Sequence, residues 1–421
     1  MPELFDLTPP KDALEKLLSA VQEALREGAG TAGADHELIP VEEALGRVTA
    51  GEVRSPHPLP AFVRSTMDGY AVRAADTYGA SESLPAYLTV TGEVLMGTAP
   101  DLNIGNGECA VVHTGGMLPR GADAVVMIER TQRSREGEIE VLRPVAEGEN
   151  VIQVGEDIES RAVIFGPGHR LRPQDIGGLT ALGITEIDAA RKPQVAIIST
   201  GDEVIPPEAE LGPGKVRDIN SYTLSALVEQ AGGARDRRGI VPDRYEAVLQ
   251  EAETALESAD ILVITAGSSV SVRDLTVKVI EALGEPGVLV HGVSLKPGKP
   301  TILAVCGGKP VIGLPGNPVS ALVAARLFLL PAVAMLLGVE QSGFLASATV
   351  KARLTRNISS LPGREDYIPV RLLSGQTPEA EPVFGKSNLI YTLVHADGLI
   401  TVPLDANGLH SGDEVEVVLF S

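Results

Sequence analysis

The stretch Pro310-Val-Ile-Gly-Leu-Pro-Gly-Asn-Pro-Val-Ser320 decides the fold of its region, because an apolar strand runs through a Pro-Gly turn directly into a helix start. Asn317 fits the N-cap position, and Pro318 fits the first helical residue, where a missing N–H costs nothing. The free N–H groups and the dipole of such a first turn favour an anion. The sequence therefore predicts an anion site that includes Pro315, Gly316, Asn317 and Pro318.

Apolar segments alternate with amphipathic helical patterns on both sides of this turn, between residues 191 and 337. This alternation predicts a parallel sheet with crossover helices. In such a sheet, ligands bind outside the carboxyl ends of the strands, so the loops at Gly201, Gly267 and Gly316 are expected to converge. The predicted strands are 195–199, 261–265, 288–294, 301–305 and 311–314.

The loop Leu295-Lys-Pro-Gly-Lys-Pro300 places two ammonium groups, Lys296 and Lys299, between two of these strands. The loop contains two prolines, which stiffen it. It could share one anionic ligand with the turn around Gly316.

Two polar loops follow predicted strands. Ser199-Thr-Gly-Asp-Glu203 offers the Thr200 hydroxyl, the Gly201 backbone and two carboxylates, Asp202 and Glu203, although a solvated turn is the ordinary reading of such a loop. In Thr265-Ala-Gly-Ser-Ser-Val-Ser-Val-Arg-Asp274, the backbone and hydroxyl donors of Gly267, Ser268 and Ser269 could surround an anion. Asp274 could cap the following helix, contact a ligand, or do both.

The flanking regions have different patterns. Residues 11–28 carry leucines and valines at helical spacing, and residues 55–145 show short strands separated by turns, which predicts a small β domain. Within that domain, the Asp68-Gly69 pair precedes an apolar run, where a hairpin turn is the ordinary explanation. The last 80 residues again show short strands, typical of a compact β barrel or sandwich.

Composition excludes several classes of protein. The net charge of −21 argues against a nucleic-acid surface. The two cysteines, Cys109 and Cys306, form neither a disulfide framework nor a zinc motif, which fits a reducing, cytoplasmic environment. The apolar run 319–337 contains Arg326 and Pro331, so we expect a buried helix and not a membrane span.

The order of the motifs resembles the MoeA family, the molybdopterin molybdotransferases, to which the gephyrin E domain belongs. The resemblance covers residues 8–420. It rests on Ser65-Thr-Met-Asp-Gly-Tyr-Ala-Val72, Thr114 to Pro119 with Gly121-Ala-Asp-Ala-Val125, Gly155-Glu-Asp157, Ser199-Thr-Gly-Asp-Glu203, Lys296-Pro-Gly-Lys-Pro300 and Leu314-Pro-Gly-Asn-Pro-Val-Ser320.

The resemblance implies a multidomain α/β plus β fold and an elongated homodimer. The implied domains are an N-terminal dimerisation region (1–54 with 146–190), a small inserted β domain (55–145), a MogA-like α/β domain (191–338) that binds molybdopterin, and a C-terminal β barrel (339–421). The family cleft lies between the α/β domain of one subunit and the small domain of the other. Asp68 would therefore project into the cleft of the partner subunit.

The implied reaction takes adenylylated molybdopterin, uses molybdate to cleave the adenylate, releases AMP, and leaves molybdenum on the pterin dithiolate, with Mg²⁺ required. Asp68, Glu203 and Asp274 are the implied catalytic and metal-binding carboxylates, because oxygen ligands suit a hard cation. Ser387 matches a family serine that lines the cleft. The implied substrate-binding residues are Thr114, Thr200, Gly201, Asp202, Gly267, Ser268, Ser269, Lys296, Lys299, Pro315, Gly316, Asn317, Pro318 and Ser387.

The chain departs from the family pattern at three places: Ala266-Gly-Ser-Ser269 replaces a Ser-Gly-Gly segment, Arg273 replaces a glycine or an acid, and Asn388 replaces a frequent glycine. These changes alter the set of hydrogen-bond donors around the anion.

The resemblance implies two kinds of partner, a MogA-type adenylyltransferase and apo-molybdoenzymes. It implies binding to neither nucleic acid nor a membrane. Two other functions stay open: a MogA-like molybdopterin adenylyltransferase and a non-catalytic, gephyrin-like scaffold.

Overall fold

The computed structural model describes residues 7–28, 35–267, 270–339, 348–375 and 377–420, with the side chains of residues 270–273 left out. The chain divides into two compact units. Unit 1 comprises Met1–Gly51, Pro167–Arg172 and Glu186–Ser421, and unit 2 comprises Glu52–Gly166 and Pro173–Thr185. The four domain borders expected from the family resemblance stay predictions.

The N-terminal helix α1 belongs to unit 1. Its buried face, which includes Ala13, Leu17 and Val21, joins the core of the α/β sheet. The helix contacts strands of that sheet directly. The elements of this segment are α1 (Pro10–Arg26), β1 (His36–Pro40) and a 3-10 turn (Val41–Glu43).

Unit 2 is built on a six-stranded sheet with the order β7-β4-β6-β5-β9-β8. Its core contains Tyr70, Leu88 and Ile139. The short strands separated by turns that the sequence predicts in this region are present. The elements are β2 (Val53–Arg54), β3 (Arg64–Ser65), β4 (Gly69–Val72), β5 (Ala86–Glu93), β6 (Glu108–Val112), β7 (Ala124–Met127), β8 (Thr131–Arg135), β9 (Glu138–Val141), β10 (Val151–Ile152), β11 (Val163–Phe165) and α2 (Pro173–Ala181), with 3-10 turns at Ala74–Thr77 and Ile128–Arg130.

The central sheet of unit 1 has the order β16-β13-β17-β21-β20-β18, and helices cover it. The elements are β12 (Glu186–Ala190), β13 (Gln194–Thr200), β14 (Val204–Ile205), β15 (Val216–Arg217), α3 (Asn220–Ala231), β16 (Ala234–Val241), α4 (Tyr245–Ser258), β17 (Ile261–Ala266), α5 (Val270–Ala282), β18 (Pro286–His291), β19 (Leu295–Lys296), β20 (Ile302–Cys306) and β21 (Lys309–Pro315).

The prediction of a parallel sheet holds for three of the five strand pairings, and β20 is the one strand of this sheet that runs in the opposite direction. Strands β16, β13, β17 and β21 run parallel, whereas β20 pairs antiparallel with β21, and β18 pairs antiparallel with β20. β20 runs antiparallel to β21 because a two-residue hairpin at Gly307 and Gly308 connects them. Both residues have positive φ, which glycine adopts without steric strain. Strand β16, at the edge of the sheet, was not among the predicted strands.

A long apolar helical segment follows the Pro-Gly turn. It comprises α6 (Pro318–Ala324), a π-helical turn (Ala325–Leu329) and α7 (Leu330–Leu336). Among the described helices, Pro318–Leu336 alone is long and apolar enough to cross a membrane, and most of it is buried inside the protein. The predicted buried helix is therefore confirmed.

The C-terminal part of unit 1 is a closed five-stranded barrel, because β24 pairs with both β25 and β26 in the circuit β24-β25-β22-β28-β26. This confirms the predicted barrel. Strand β19 pairs with β24 and joins the barrel to the α/β sheet. The elements are β22 (Thr349–Leu354), β23 (Ile358–Ser359), β24 (Glu365–Leu373), β25 (Glu379–Pro382), α8 (Tyr391–Val394), β26 (Gly398–Val402), β27 (Gly408–Leu409) and β28 (Glu414–Leu419).

Candidate functional site

A cavity in unit 1 lies where the Lys-Pro-Gly-Lys loop, the turn before α6 and the barrel meet. Its volume is about 810 Å³. Lys296, Lys299, Arg364 and Lys386 line it, and its described lining residues include no carboxylate. We call it the cationic cavity. Its positive charge suits an oxyanion, because several cations close together attract an anion strongly at short range. The negative net charge of the whole protein opposes this attraction only weakly, because solvent ions screen charges that lie far from the cavity.

A buried carboxylate holds two of these cations in place. Asp366 has no exposed side-chain surface and accepts a hydrogen bond from Lys296 Nζ at 3.1 Å. Arg364 donates to the same carboxylate through Nε at 2.9 Å. Such charge-assisted hydrogen bonds are stronger and more directional than neutral ones.

The second cavity, of about 350 Å³, lies at the carboxyl ends of the parallel strands and is more acidic. Among the described residues that line it, Glu203 and Asp218 are the acids and Arg217 is the one cation. We call it the acidic cavity. Its walls also include Thr200, Gly267 and Gly316. The loops after β13, β17 and β21 therefore converge as predicted, but the loop after β13 contributes Thr200 to the cavity wall and not Gly201.

Buried polar atoms without partners line the acidic cavity. Asn220 is 8% exposed, and its Nδ2 donates to the Gly316 carbonyl at 2.9 Å. Its Oδ1 is buried and makes no hydrogen bond among the described residues, and the same holds for Thr200 Oγ1. A buried polar atom without a partner carries a desolvation cost that a ligand could relieve. These two oxygens therefore mark where a cation or a donor group would bind.

Asp218 is fixed by two serines. Ser199 and Ser221 donate their hydroxyl hydrogens to Asp218 Oδ2 at 3.0 and 2.6 Å, and the Ser221 N–H donates to Oδ1 at 3.1 Å. The carboxylate thus keeps one orientation at the cavity wall, at the start of α3.

The two cavities share two lining residues, Asn317 and Asn388. Asn317 Nδ2 donates to Ser387 Oγ at 3.0 Å, so the barrel loop that carries Ser387 is attached to the turn before α6. A ligand that extends from one cavity to the other would pass these three side chains.

The predicted anion site at the helix start is wrong in one respect. Asn317 is the N-cap and Pro318 the first helical residue, as predicted. However, Pro318 has no N–H, and the Val319 N–H donates to the Ser387 carbonyl at 3.1 Å. At least one N–H of the first turn is therefore not available to an anion, and the side-chain cations of the cationic cavity supply positive charge beside this turn.

Two glycines shape these loops. Gly201 has φ +145°, and a Cβ there would lie 2.7 Å from Val204 Cγ2. At Gly316, a Cβ would lie 2.8 Å from the Ala266 carbonyl oxygen and 3.2 Å from Gly267 Cα. The end of β21 can approach the end of β17 only because no side chain stands between them.

Substituting Gly316→Ala should therefore destabilise the protein by about 1–3 kcal/mol, because the added methyl group meets backbone atoms that cannot rotate away. Urea unfolding followed by circular dichroism measures this loss. The matched control is Gly212→Ala, since a Cβ at Gly212 meets no atom within 4 Å. Equal unfolding midpoints for the two variants would contradict the packing argument.

The predicted residues of the loop after β17 are only partly described. Ser268 and Ser269 lie outside the described residues. Asp274 lies in the second turn of α5, is exposed, and is not among the lining residues of either cavity. Across the part of the chain that the structure describes, no group of three or more His, Cys, Asp or Glu side chains is arranged to hold a metal.

Carboxylates also surround the loop after β13. The Asp202 carbonyl accepts a hydrogen bond from Lys215 Nζ at 2.7 Å, and its carboxylate lies near the Asp243 N–H. Burial raises the pKa of the Asp243 carboxyl, and the charges of Glu203 and Asp202 raise it further. The Thr200 hydroxyl acts in the opposite direction and lowers the pKa of Asp243. The angle and distance between the two groups nevertheless do not meet the criteria for a hydrogen bond.

In unit 2, Asp68 and Thr114 form a separate pair. The Thr114 N–H donates to Asp68 Oδ1 at 2.7 Å, and the Thr114 hydroxyl donates to the same oxygen at 3.1 Å. These bonds, the backbone one first, lower the pKa of the exposed Asp68 carboxyl. The structure therefore keeps Asp68 ionised and oriented, which goes beyond the hairpin-turn reading of Asp68-Gly69.

Sequence reasoning missed several residues in and behind these cavities. Arg364 and Lys386 of the cavity wall, and Asp366 behind it, come from the barrel, whereas Asp218 and Asn220 precede or open α3. The nearest signal was the Gly-Lys-Ser-Asn sequence around Ser387. Arg364 and Asp366 lie in an ordinary strand sequence and carry no motif of their own.

Three family models together match most of the chain. They are described as the MoeA N-terminal region (domains I and II) at residues 8–183, a probable molybdopterin binding domain at 196–335, and the MoeA C-terminal region (domain IV) at 351–420.

Similar proteins are known across nearly the full length. A putative molybdopterin biosynthesis protein of Methanocaldococcus jannaschii is 34% identical over 98% of both chains. A molybdopterin molybdenumtransferase of Bacillus subtilis is 31% identical over 91% of this chain and 89% of its own. The crystal structure of a molybdopterin biosynthesis MoeA protein from Pyrococcus horikoshii OT3 superposes with a TM-score of 0.84 at 32% identity, over 99% of this chain and 100% of that one.

Proposed function

The chain belongs to the MoeA family, and from this premise we propose that it is a molybdopterin molybdenumtransferase of molybdenum cofactor biosynthesis. It takes molybdate and adenylylated molybdopterin, inserts molybdenum into the pterin dithiolate, and releases AMP. The observation that carries this proposal is the pair of adjoining cavities of opposite charge, which share Asn317 and Asn388.

The cationic cavity is the seat of molybdate in this proposal. Molybdate is a small tetrahedral dianion, and Lys296, Lys299 and Arg364 supply fixed positive charge around a cavity of about 810 Å³. Donors that are already oriented before the reaction stabilise anionic charge better than mobile ones, because they need no reorganisation. The cavity also has room for part of the pterin beside the oxyanion.

The acidic cavity is the seat of the adenylate phosphate and Mg²⁺. Glu203, Asp218, Asn220 Oδ1 and Thr200 Oγ1 form the kind of oxygen donor set that Mg²⁺ prefers, and two of these atoms have no partner among the described residues. When bound, Mg²⁺ would neutralise phosphate charge near these carboxylates. Asp274, exposed on α5, is a further proposed ligand, whereas Asp202, beside Asp243, is proposed to hold the loop after β13.

The side chains at the junction would orient the bond to be broken. Asn317 and Ser387 are hydrogen-bonded to each other, and Asn388 faces both cavities. A phosphate held in the acidic cavity and an oxyanion held in the cationic cavity would meet there. Fixing two reactants side by side removes much of the entropic cost of their encounter.

We further propose that the protein acts as a homodimer in the cytoplasm, with Asp68 and Thr114 of one subunit completing the site of the other. The ionised, oriented Asp68 carboxylate supports a role in positioning molybdate or its coordinated water, or in binding Mg²⁺. Transient partners in this proposal are a MogA-type adenylyltransferase that supplies the substrate and apo-molybdoenzymes that receive the product.

Replacing Thr114 by valine should raise the pKa of Asp68, because the hydroxyl hydrogen bond is lost while the backbone bond remains. Since the folded-state pKa is lowered in the native protein, a larger fraction of Asp68 becomes protonated in the variant as the pH falls. The acid limb of AMP release should therefore move to higher pH. Carbon-13 NMR titration of the Asp68 carboxyl measures the pKa directly.

The control for this variant is Thr91→Val, since the Thr91 hydroxyl donates to the Cys109 carbonyl and not to Asp68. An Asp68 pKa that is the same in Thr114→Val and native protein would contradict the assignment.

The proposed function is tested by AMP release from adenylylated molybdopterin, measured with and without molybdate and Mg²⁺. Release that requires both is the expected result. ATP consumption with free molybdopterin, without any effect of molybdate, would instead identify an adenylyltransferase. Tight binding of the pterin without release under any condition would indicate a carrier or a scaffold.

A further inference from the structure

Asp366 stands out because it is a fully buried carboxylate beside the cationic cavity without being part of the cavity wall. Its side chain has no exposed surface, whereas its partners Lys296 and Arg364 are 52% and 30% exposed. The carboxylate therefore touches the cations from the protein side and leaves their other side to the cavity.

The backbone fixes this arrangement. Strand β19 pairs in parallel with β24, and the register places Lys296 directly opposite Asp366. Strand β24 is also part of the closed barrel, where Asp366 pairs with Val402 of β26. Asp366 is thus held by pairing on both sides, and its position is more tightly determined than that of either long cationic side chain.

Stability alone does not explain such a group. Taking a carboxylate out of water is costly, and a buried ion pair often contributes no more to stability than apolar side chains of the same volume would. What the carboxylate supplies is geometry, because two flexible cations with many rotamers are tied to one point. A site built on anchored side chains is ready for its ligand before the ligand arrives.

Building on the proposed function, we propose that Asp366 is a positioning residue for molybdenum insertion. It acts through Lys296 and Arg364: it orients both cations toward the oxyanion and reduces the net positive charge of the three groups to one. The oxyanion is then held in the reactive position without being bound so tightly that its transfer is slowed.

The test is Asp366→Asn, which keeps the shape and removes the charge. At saturating molybdate, kcat for AMP release should fall by about 100-fold, the size of effect expected from misplacement of a reactant by about 1 Å. The Kd for molybdate, measured by calorimetry with molybdate alone, should stay equal or become lower because the cavity gains positive charge. A merely structural role would instead weaken molybdate binding together with kcat.

A double-mutant cycle shows whether Asp366 acts through its partner. In Lys296→Met protein, the further change Asp366→Asn should lower kcat by a clearly smaller factor than in native protein, because one of the two anchored cations is already absent. Full additivity of the two losses would overturn the proposal.

The matched control is Glu381→Gln. Glu381 lies in the same barrel and is likewise shared by two arginines, with Arg371 at 2.6 Å and Arg356 at 3.5 Å. Neither arginine lines the cationic cavity. Its kcat should stay within about twofold of native, since exposed pairs of this kind contribute little.

A measurement on unsubstituted protein keeps the proposal testable if Asp366→Asn does not fold. The Arg364 Nε–H signal in nitrogen-15 NMR, assigned with Arg364→Lys, should show restricted motion and protection from exchange before molybdate is added. An Arg364 that becomes ordered only after molybdate binds would overturn the proposal. Native protein without molybdate-dependent AMP release would count against the proposed function itself, whereas active native protein with a fully active Asp366→Asn variant would count against this inference alone.

Discussion

Lys296→Met should lower molybdate-dependent AMP release by about 100- to 1,000-fold, the loss typical of removing one oriented donor from an oxyanion site. Lys296 lines the cationic cavity and is anchored by Asp366 at 3.1 Å, so its charge is fixed where the proposed oxyanion would bind. Methionine keeps a long unbranched side chain and removes only the charge and its hydrogen bonds. Steady-state kinetics over a range of molybdate concentrations measures the effect.

The control for this substitution is Lys351→Met. Lys351 is 78% exposed and pairs with Glu414 on the barrel surface, outside the residues that line the cavities. Its loss should leave the rate unchanged. Equal rates for the two variants would remove the cationic cavity from the reaction, and a loss of folded protein in Lys296→Met alone would show that the lysine is structural.

Glu203→Gln and Asp274→Asn should each lower AMP release by at least about 100-fold and raise the Mg²⁺ concentration required for half-maximal rate. Both substitutions remove a carboxylate while keeping its volume, and both side chains are exposed, so folding should be intact. Titration of the rate with Mg²⁺ separates a metal-binding defect from a general loss of activity.

We expect the two substitutions to differ in the size of the loss of AMP release. Glu203 lines the acidic cavity beside Thr200 and Asn220, whereas Asp274 lies outside the described cavity wall. Glu208→Gln, in the loop after β14 and outside both cavity linings, is the matched control. Unchanged turnover in Asp274→Asn would sink the role assigned to that residue, while unchanged turnover in both variants would sink the metal site.

Local sequence patterns were sufficient for most elements. The strand, turn and proline of residues 310–320 predicted β21, the N-cap Asn317 and the start of α6, because these depend on neighbouring residues only. The direction of β20 was not foreseen, although it depends on a local feature, the hairpin at Gly307 and Gly308. The prediction of a parallel sheet rested on the alternation of strands and helices and did not use the Gly307-Gly308 turn.

The site was predictable to the extent that its residues lie in loops after strands. Thr200, Glu203, Lys296, Lys299 and Asn317 all line one of the two cavities. The helix start offers fewer free N–H donors than predicted, because the bond from the Val319 N–H to the Ser387 carbonyl joins residues far apart in the chain. No local pattern reports a partner that arrives from another part of the fold.

The sequence by itself determined the class of most elements, the family through the order of its motifs, and the loops that carry charge. Only the tertiary structure decided that the barrel closes over the Lys-Pro-Gly-Lys loop, that Arg364 and Lys386 join Lys296 and Lys299, and that buried Asp366 anchors two of these cations. The physical reason is that helix and strand signals depend on residues a few positions apart, whereas charge pairing and cavity formation depend on distance in space. Here that distance is set by the pairing of β19 with β24, which lie some 70 residues apart in the chain.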